Sequence, residues 1–129
     1  MTIVSVAKIL IVDDDPDCVE LLSFHLLHKG HAVIGAKDGP EALERAARER
    51  PELILLDLRM PLVDGIRIIE ILRDNELTAN TPIVLISAAD KEWVERRLPE
   101  DPLVRFLEKP LDFPKLNEFL AELLPASRA

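Results

Sequence analysis

Short apolar runs dictate most of what this chain can fold into. They are Ile9–Val12, Leu53–Leu56, Ile83–Ile86 and Val104–Leu107, the last interrupted by Arg105, with a weaker run at Ala32–Ala36. Rich in Ile, Leu and Val and too short for helices, they read as strands covered on both faces, as in a parallel sheet. Segments of helical spacing lie between them. Val19, Leu22 and Leu26 form one stripe, and Ala42, Leu43, Ala46 and Ala47 a second. Ile66, Ile69 and Leu72 form another, and Leu116, Phe119, Leu120 and Leu123 the last. Strands alternating with helices predict a chain of five βα units. Right-handed crossovers then place helices on both faces of one parallel sheet.

Helix starts are marked in the sequence. Asp15-Pro16 sets a capping acid before a proline, and Gly39-Pro40 marks a second start. Asp64 and Asp112 stand where caps of the third and last helices are expected. The 129 residues suffice for one domain, expected over 1–129 with its core at 8–124 and Pro125–Ala129 as a frayed tail.

Charge and cysteine content narrow the function. A net charge of −8 argues against a nucleic-acid surface, which needs clustered Lys and Arg, and suits a site built from carboxylates. Cys18 is the single cysteine, so neither an internal disulfide nor a cysteine-based metal site is expected, and a reduced compartment is the simpler setting. No apolar run approaches the roughly 20 residues a membrane span needs. The expected location is the cytoplasm.

The chemistry gathers at the strand ends. The first strand runs into Asp13, Asp14 and Asp15; the third ends in Asp57, the fourth in Ser87, the fifth in Lys109 followed by Pro110. Open α/β sheets bind ligands outside the carboxyl ends of their strands, where strand order reverses. If the first and third strands are neighbours, Asp13, Asp14 and Asp57 converge on one crevice. Carboxylates so close repel strongly. Lys109 offsets one charge, and an oxygen-rich pocket is the ligand set of a hard cation, best Mg²⁺. Such a cation lets an anionic phosphoryl group approach an anionic nucleophile. A lone Asp in such a loop is usually a helix cap, which is how Asp15 reads. Two consecutive acids directly off a buried strand exceed that need. A lone Ser87 or Lys109 would be unremarkable; their joint position carries the inference.

These residues resemble the receiver domains of bacterial response regulators from Lys8 to Leu124. The matching stretches are Ile9 to Pro16, Leu55 to Pro61 with Asp64-Gly65, Leu85 to Ala88, and Glu108-Lys109-Pro110. The resemblance implies a doubly wound, flavodoxin-like fold with five parallel strands in order 2-1-3-4-5. It implies that Asp57 accepts a phosphoryl group from the phosphohistidine of a sensor histidine kinase or a phosphotransfer protein. Asp13 and Asp14 would bind Mg²⁺ with Asp57 and the backbone carbonyl of Arg59. Ser87 and Lys109 would hold the phosphoryl group, and the Lys109–Pro110 bond is cis in the family. Phe106 occupies the position of the aromatic switch residue. The domain would act as a phosphoacceptor that catalyses its own phosphotransfer and autodephosphorylation, not as an enzyme on a separate substrate. Physical reasoning agrees: a Ser hydroxyl and a Lys ammonium can both donate to phosphoryl oxygens.

The family's output surface comprises the fourth helix, fifth strand and fifth helix. Here Leu98 to Leu103 carries Pro99 and Pro102, which limit the fourth helix to Asp90–Leu98. Phe replaces the more usual Tyr at 106, and Leu111 stands where Phe is frequent. Trp93 reads as a partly buried packing residue, and His25, His28 and His31 as solvated or packing residues. The output is a downstream protein target or an output domain of a longer chain, with neither nucleic acid nor membrane contacted directly and homodimerisation left open. Two other readings compete. One is a degenerate receiver serving as a binding scaffold. The other is a haloacid-dehalogenase-type phosphatase, whose Asp-x-Asp spacing occurs in Asp13-Asp14-Asp15, but which needs a longer chain and leaves Asp57 without a role.

Overall fold

A computed structural model describes residues 6–57 and 62–124, with the side chains of 62–64 outside the description. Arg59 and the tail Pro125–Ala129 therefore lie outside the described residues. Strands and helices alternate: β1 (Lys8–Asp13), α1 (Pro16–His28), β2 (Ala32–Ala36), α2 (Gly39–Glu49), β3 (Leu53–Asp57), α3 (Leu62–Asp74), β4 (Ile83–Ser87), α4 (Lys91–Glu95), β5 (Val104–Glu108) and α5 (Phe113–Leu123). The strands form one parallel sheet in the order β2-β1-β3-β4-β5.

The apolar runs serve two cores because alternate residues of a strand point to opposite faces. Ile9, Ile11, Leu53, Leu55, Val84 and Ile86 meet Leu22 and Leu26 of α1 and the α5 stripe Leu116, Phe119, Leu120 and Leu123. Leu10, Val12, Ile54, Leu56, Ile83 and Leu85 meet Ala42 and Ala46 of α2 and Ile68, Ile69 and Leu72 of α3. Burying such Leu and Ile side chains is worth roughly 1.5–3 kcal/mol each.

Caps fix the helix starts. The Asp15 side chain accepts from the Asp17 N–H at 3.1 Å, and that of Asp112 from the Lys115 N–H at 3.0 Å. At the second helix the cap is Asp38, whose side chain accepts from the Glu41 N–H at 2.8 Å, with Pro40 in the first turn. Helix α3 already runs at Leu62, so Asp64 is not its cap but a first-turn residue.

Two expectations about the fourth helix need correction. It spans only Lys91–Glu95, capped by Asp90, and does not reach Leu98. The Arg97 N–H bonds to the Val94 carbonyl, three residues back, which tightens the chain into a turn. Pro99 disfavours a helical Leu98 as well. Trp93 is 41 % exposed rather than packed, with the Arg97 guanidinium 3.7 Å over its ring.

Candidate functional site

Sheet register brings the acids together. Asp13 and Asp57 are paired residues at the carboxyl ends of β1 and β3, the point where strand order reverses. Both are buried, at 3 % and 1 % exposure. Each terminates an apolar strand that cannot bend out of the sheet, so its carboxylate is held where the strand ends.

Asp57 has a donor on each oxygen. Lys109 Nζ lies 2.9 Å from Oδ1, and the Cys18 thiol donates to Oδ2 at 3.3 Å. Lys109 reaches the site from the end of β5. Its own N–H donates to the Ser87 carbonyl at 2.8 Å, and the Lys109–Pro110 peptide is cis. Burial works against the Lys109 charge, but the hydrogen bond to Asp57 and its carboxylate charge outweigh it and hold the ammonium above its ordinary pKa.

Asp13 is less well served. One oxygen, Oδ1, accepts from the Asp15 N–H at 2.8 Å; Oδ2 is buried with no hydrogen-bond partner among the described residues. Burial, with the neighbouring Asp57 charge adding to it, pushes the Asp13 carboxyl up to about 6 despite the Asp15 N–H. A buried carboxylate oxygen without a donor is expensive. A cation would relieve both the missing contact and the repulsion, so the residues present fit a divalent ion.

Cys18 was not singled out from the sequence as part of the site. Its Sγ, an Asp13 oxygen and an Asp57 oxygen lie within 4.8 Å of one another. Burial first, then the two carboxylates, push the thiol up to about 12, so it stands as a protonated donor. The usable signal was position: Cys18 is in the first turn of a helix that leaves β1 directly at the acid pair.

The remaining expected residues fall nearby. Asp14 is exposed beside the pair and lines a shallow cleft with Asp13, Pro16, Lys37 and Glu41. Ser87 ends β4, and its Oγ accepts from the Ala89 N–H at 3.1 Å. Phe106 pairs with Leu85 in the sheet, is partly buried, and lines a groove with Lys91, Lys109 and Pro110. The three histidines stay away from the carboxyl ends of the strands: His25 bonds Asn117 and packs on Phe113, His28 stacks on Phe24, and His31 is buried just before β2.

A doubly wound 2-1-3-4-5 sheet with buried acids and a lysine at its strand ends defines the receiver class of signalling domains. The response regulator receiver domain family matches residues 9–121, and the chain belongs to that family. Over 86 residues it is 44 % identical to the alkaline phosphatase synthesis transcriptional regulatory protein PhoP of Bacillus subtilis, covering 67 % of this chain and 35 % of PhoP. The chemotaxis response regulator CheY4 of Vibrio cholerae superposes with a TM-score of 0.81 at 28 % identity, over 93 % of this chain and 100 % of that one. The receiver domain of the Pseudomonas aeruginosa sensor histidine kinase PA1611, solved with a magnesium ion in its active-site cleft, matches at TM-score 0.76 and 27 % identity, over 92 % and 98 % of the two chains. Among the described residues no helix is long and apolar enough to cross a membrane.

Proposed function

We propose that Asp57 is the phosphoacceptor of this receiver. The observation that carries the reading is the Asp57 carboxylate, buried at the end of β3 with Asp13 beside it and Lys109 at 2.9 Å. An Asp57 oxygen attacks the phosphorus of a phosphohistidine held by a histidine kinase or phosphotransfer protein, and the histidine nitrogen leaves. Lys109 shifts from neutralising the carboxylate to donating to a phosphoryl oxygen. The Ser87 hydroxyl leaves the Ala89 N–H and donates to another. Asp13, Asp14, Asp57 and the Arg59 carbonyl would hold Mg²⁺, which supplies the charge neutralisation that lets two anionic groups meet. The unpartnered Asp13 Oδ2 supports that ligand set, as does the magnesium reported in the PA1611 receiver. Autodephosphorylation in the same pocket belongs to the reading.

Incubation with acetyl phosphate and Mg²⁺ followed by mass spectrometry tests it. An acyl phosphate on Asp57 is expected, and none on Asp57→Asn, whose amide is nearly isosteric but a poor nucleophile. Labelling of that variant at the wild-type rate would reject the assignment. PhoP is named a transcriptional regulator, and this chain spans only about a third of its length. The output here is therefore proposed no further than a protein partner or a linked domain.

A further inference from the structure

Cys18 is the chain's single cysteine, and it sits where a thiol can serve a cation. Its Sγ stands 3.3 Å from Asp57 Oδ2. Ligands bonded to a tetrahedral ion at about 2.0–2.3 Å stand about 3.5 Å apart, so this pair already has ligand spacing. A second observation is independent of the thiol. Asp13 is 3 % exposed and its Oδ2 has no hydrogen-bond partner among the described residues, a cost that a bound cation removes. Mg²⁺ takes oxygen ligands and has no use for sulfur, whereas a thiolate selects softer ions.

We propose that this pocket also takes a borderline-soft divalent cation, Zn²⁺ foremost, with the Cys18 thiolate as a ligand beside Asp13 and Asp57, in competition with Mg²⁺. The proposal rests on the reading of the pocket as the cation site and extends it to a second class of ion. Binding forms a metal–sulfur bond and breaks the S–H bond, and the proton leaves to solvent. The charges close: Asp13, Asp57 and the thiolate are matched by the divalent ion and the ammonium of Lys109, 2.9 Å from Asp57. An ion held this way displaces Mg²⁺ from Asp13 and Asp57 and takes the Cys18 thiol away from its hydrogen bond to Asp57 Oδ2.

Co²⁺ is the probe, because its thiolate complexes show an intense near-ultraviolet charge-transfer band that oxygen-only sites lack. The band is expected in the wild-type protein, is abolished by added Zn²⁺, and is absent from Cys18→Ser. The ratio of Co²⁺ to Mg²⁺ affinity should fall about tenfold or more in that variant. With no other cysteine in the chain, the wild-type spectrum is decisive even where a variant folds poorly. Co²⁺ bound without the band, or an unchanged affinity ratio in Cys18→Ser, overturns the proposal. Mg²⁺ binding in that same protein would leave the broader reading of the pocket standing, whereas failure of every divalent ion, Mg²⁺ included, overturns both.

Discussion

Asp13 and Asp57 end neighbouring strands, yet their surroundings differ. Asp57 has Lys109 and Cys18 on its two oxygens, while Asp13 Oδ1 accepts from the Asp15 N–H and its Oδ2 has no hydrogen-bond partner among the described residues. At neutral pH the Asp13 charge is a burden on the metal-free fold. Asp13→Asn keeps an oxygen for Asp15 and replaces the bare atom with an amide that can donate to a neighbouring carboxylate. The metal-free variant should be more stable by about 1–3 kcal/mol, at 1.36 kcal/mol per pKa unit. Urea unfolding checks this, and Mg²⁺ should raise the midpoint of the wild type but not of the variant. A destabilised metal-free variant would contradict the account. Lys109→Ala should impair coupling more than metal binding, because the ammonium is proposed to address the phosphoryl group while the ion wants carboxylates. A phosphorylated Lys109→Ala that engages its partner as tightly as wild type would count against that role.

Individual elements carry their own dependencies. The segment after α4 is irregular, and one ion pair anchors it: Arg73 at the end of α3 meets Asp101 at 2.6 Å, with both side chains about four-fifths buried. Asp101 also accepts from the Leu103 N–H at 2.9 Å, just before β5. Burial pushes the Asp101 carboxyl up, but Arg73 and the Leu103 N–H outweigh it and hold it below its ordinary value. Asp101→Ala should cost about 2–4 kcal/mol, since it strands a buried guanidinium. Amide exchange in β5 should accelerate with it; an unchanged β5 would mean that the ion pair does not hold the strand. At the other end of the sheet, His31 is buried and its Nδ1 accepts from the Ala7 N–H at 3.2 Å. Burial, with the charge of Lys29 adding to it, lowers its pKa. As pH falls below about 6.5 the unfolded imidazole takes a proton that the folded one resists, so stability drops with acidification and is unaffected above that range. His31→Asn keeps an acceptor and should flatten the dependence of melting temperature on pH between about 7 and 5. The comparison belongs in an Asp13→Asn background, because Asp13 titrates in the opposite sense there. A slope that survives His31→Asn would assign it to another group.

At the scale of the whole molecule, the question is how a charge at one end of β3 changes a surface on β5. Phe106 lies partly buried beside Leu85, two strands from Asp57 and two residues before Glu108 at the strand end. On the proposal that Phe106 is the switch residue, burial alone sets the preference between its inward and outward positions, since a phenylalanine has no hydroxyl to bond. Fully burying the ring is worth roughly 1.5–3 kcal/mol. Moving an equilibrium from mostly off to mostly on takes about 5.5 kcal/mol of differential binding. On that proposal, a partner at the α4–β5–α5 face is expected to complete the shift. By linkage, that partner binds the phosphorylated form more tightly and raises its equilibrium occupancy. Structures with and without a beryllofluoride mimic, partner present, check the coupling. If Ser87 and Phe106 stay in place in both, the Arg73-anchored segment before β5 is the next candidate for the moving element.

The βα alternation, the five strands, the caps Asp15 and Asp112 and the strand-end acids were legible in the sequence, because each rests on local physics: apolar runs make buried strands, and Asp or Pro marks a helix start. Asp13, Asp14, Asp57, Ser87, Lys109 and Phe106 could be named as candidates for the same reason, since a strand's length fixes which residue stands at its end. Three things waited for the fold. The early end of α4 comes at Val94, whose carbonyl accepts from both the Arg97 and the Leu98 N–H, so the chain turns there instead of continuing as a regular helix. The exposure of Trp93 follows from that short helix, whose inward position is taken by Val94. The place of Cys18 depends on where α1 crosses the end of β3, a residue separated from it by 39 positions. Sequence spacing determines which face of an element a side chain occupies; only packing between elements decides which distant group it meets.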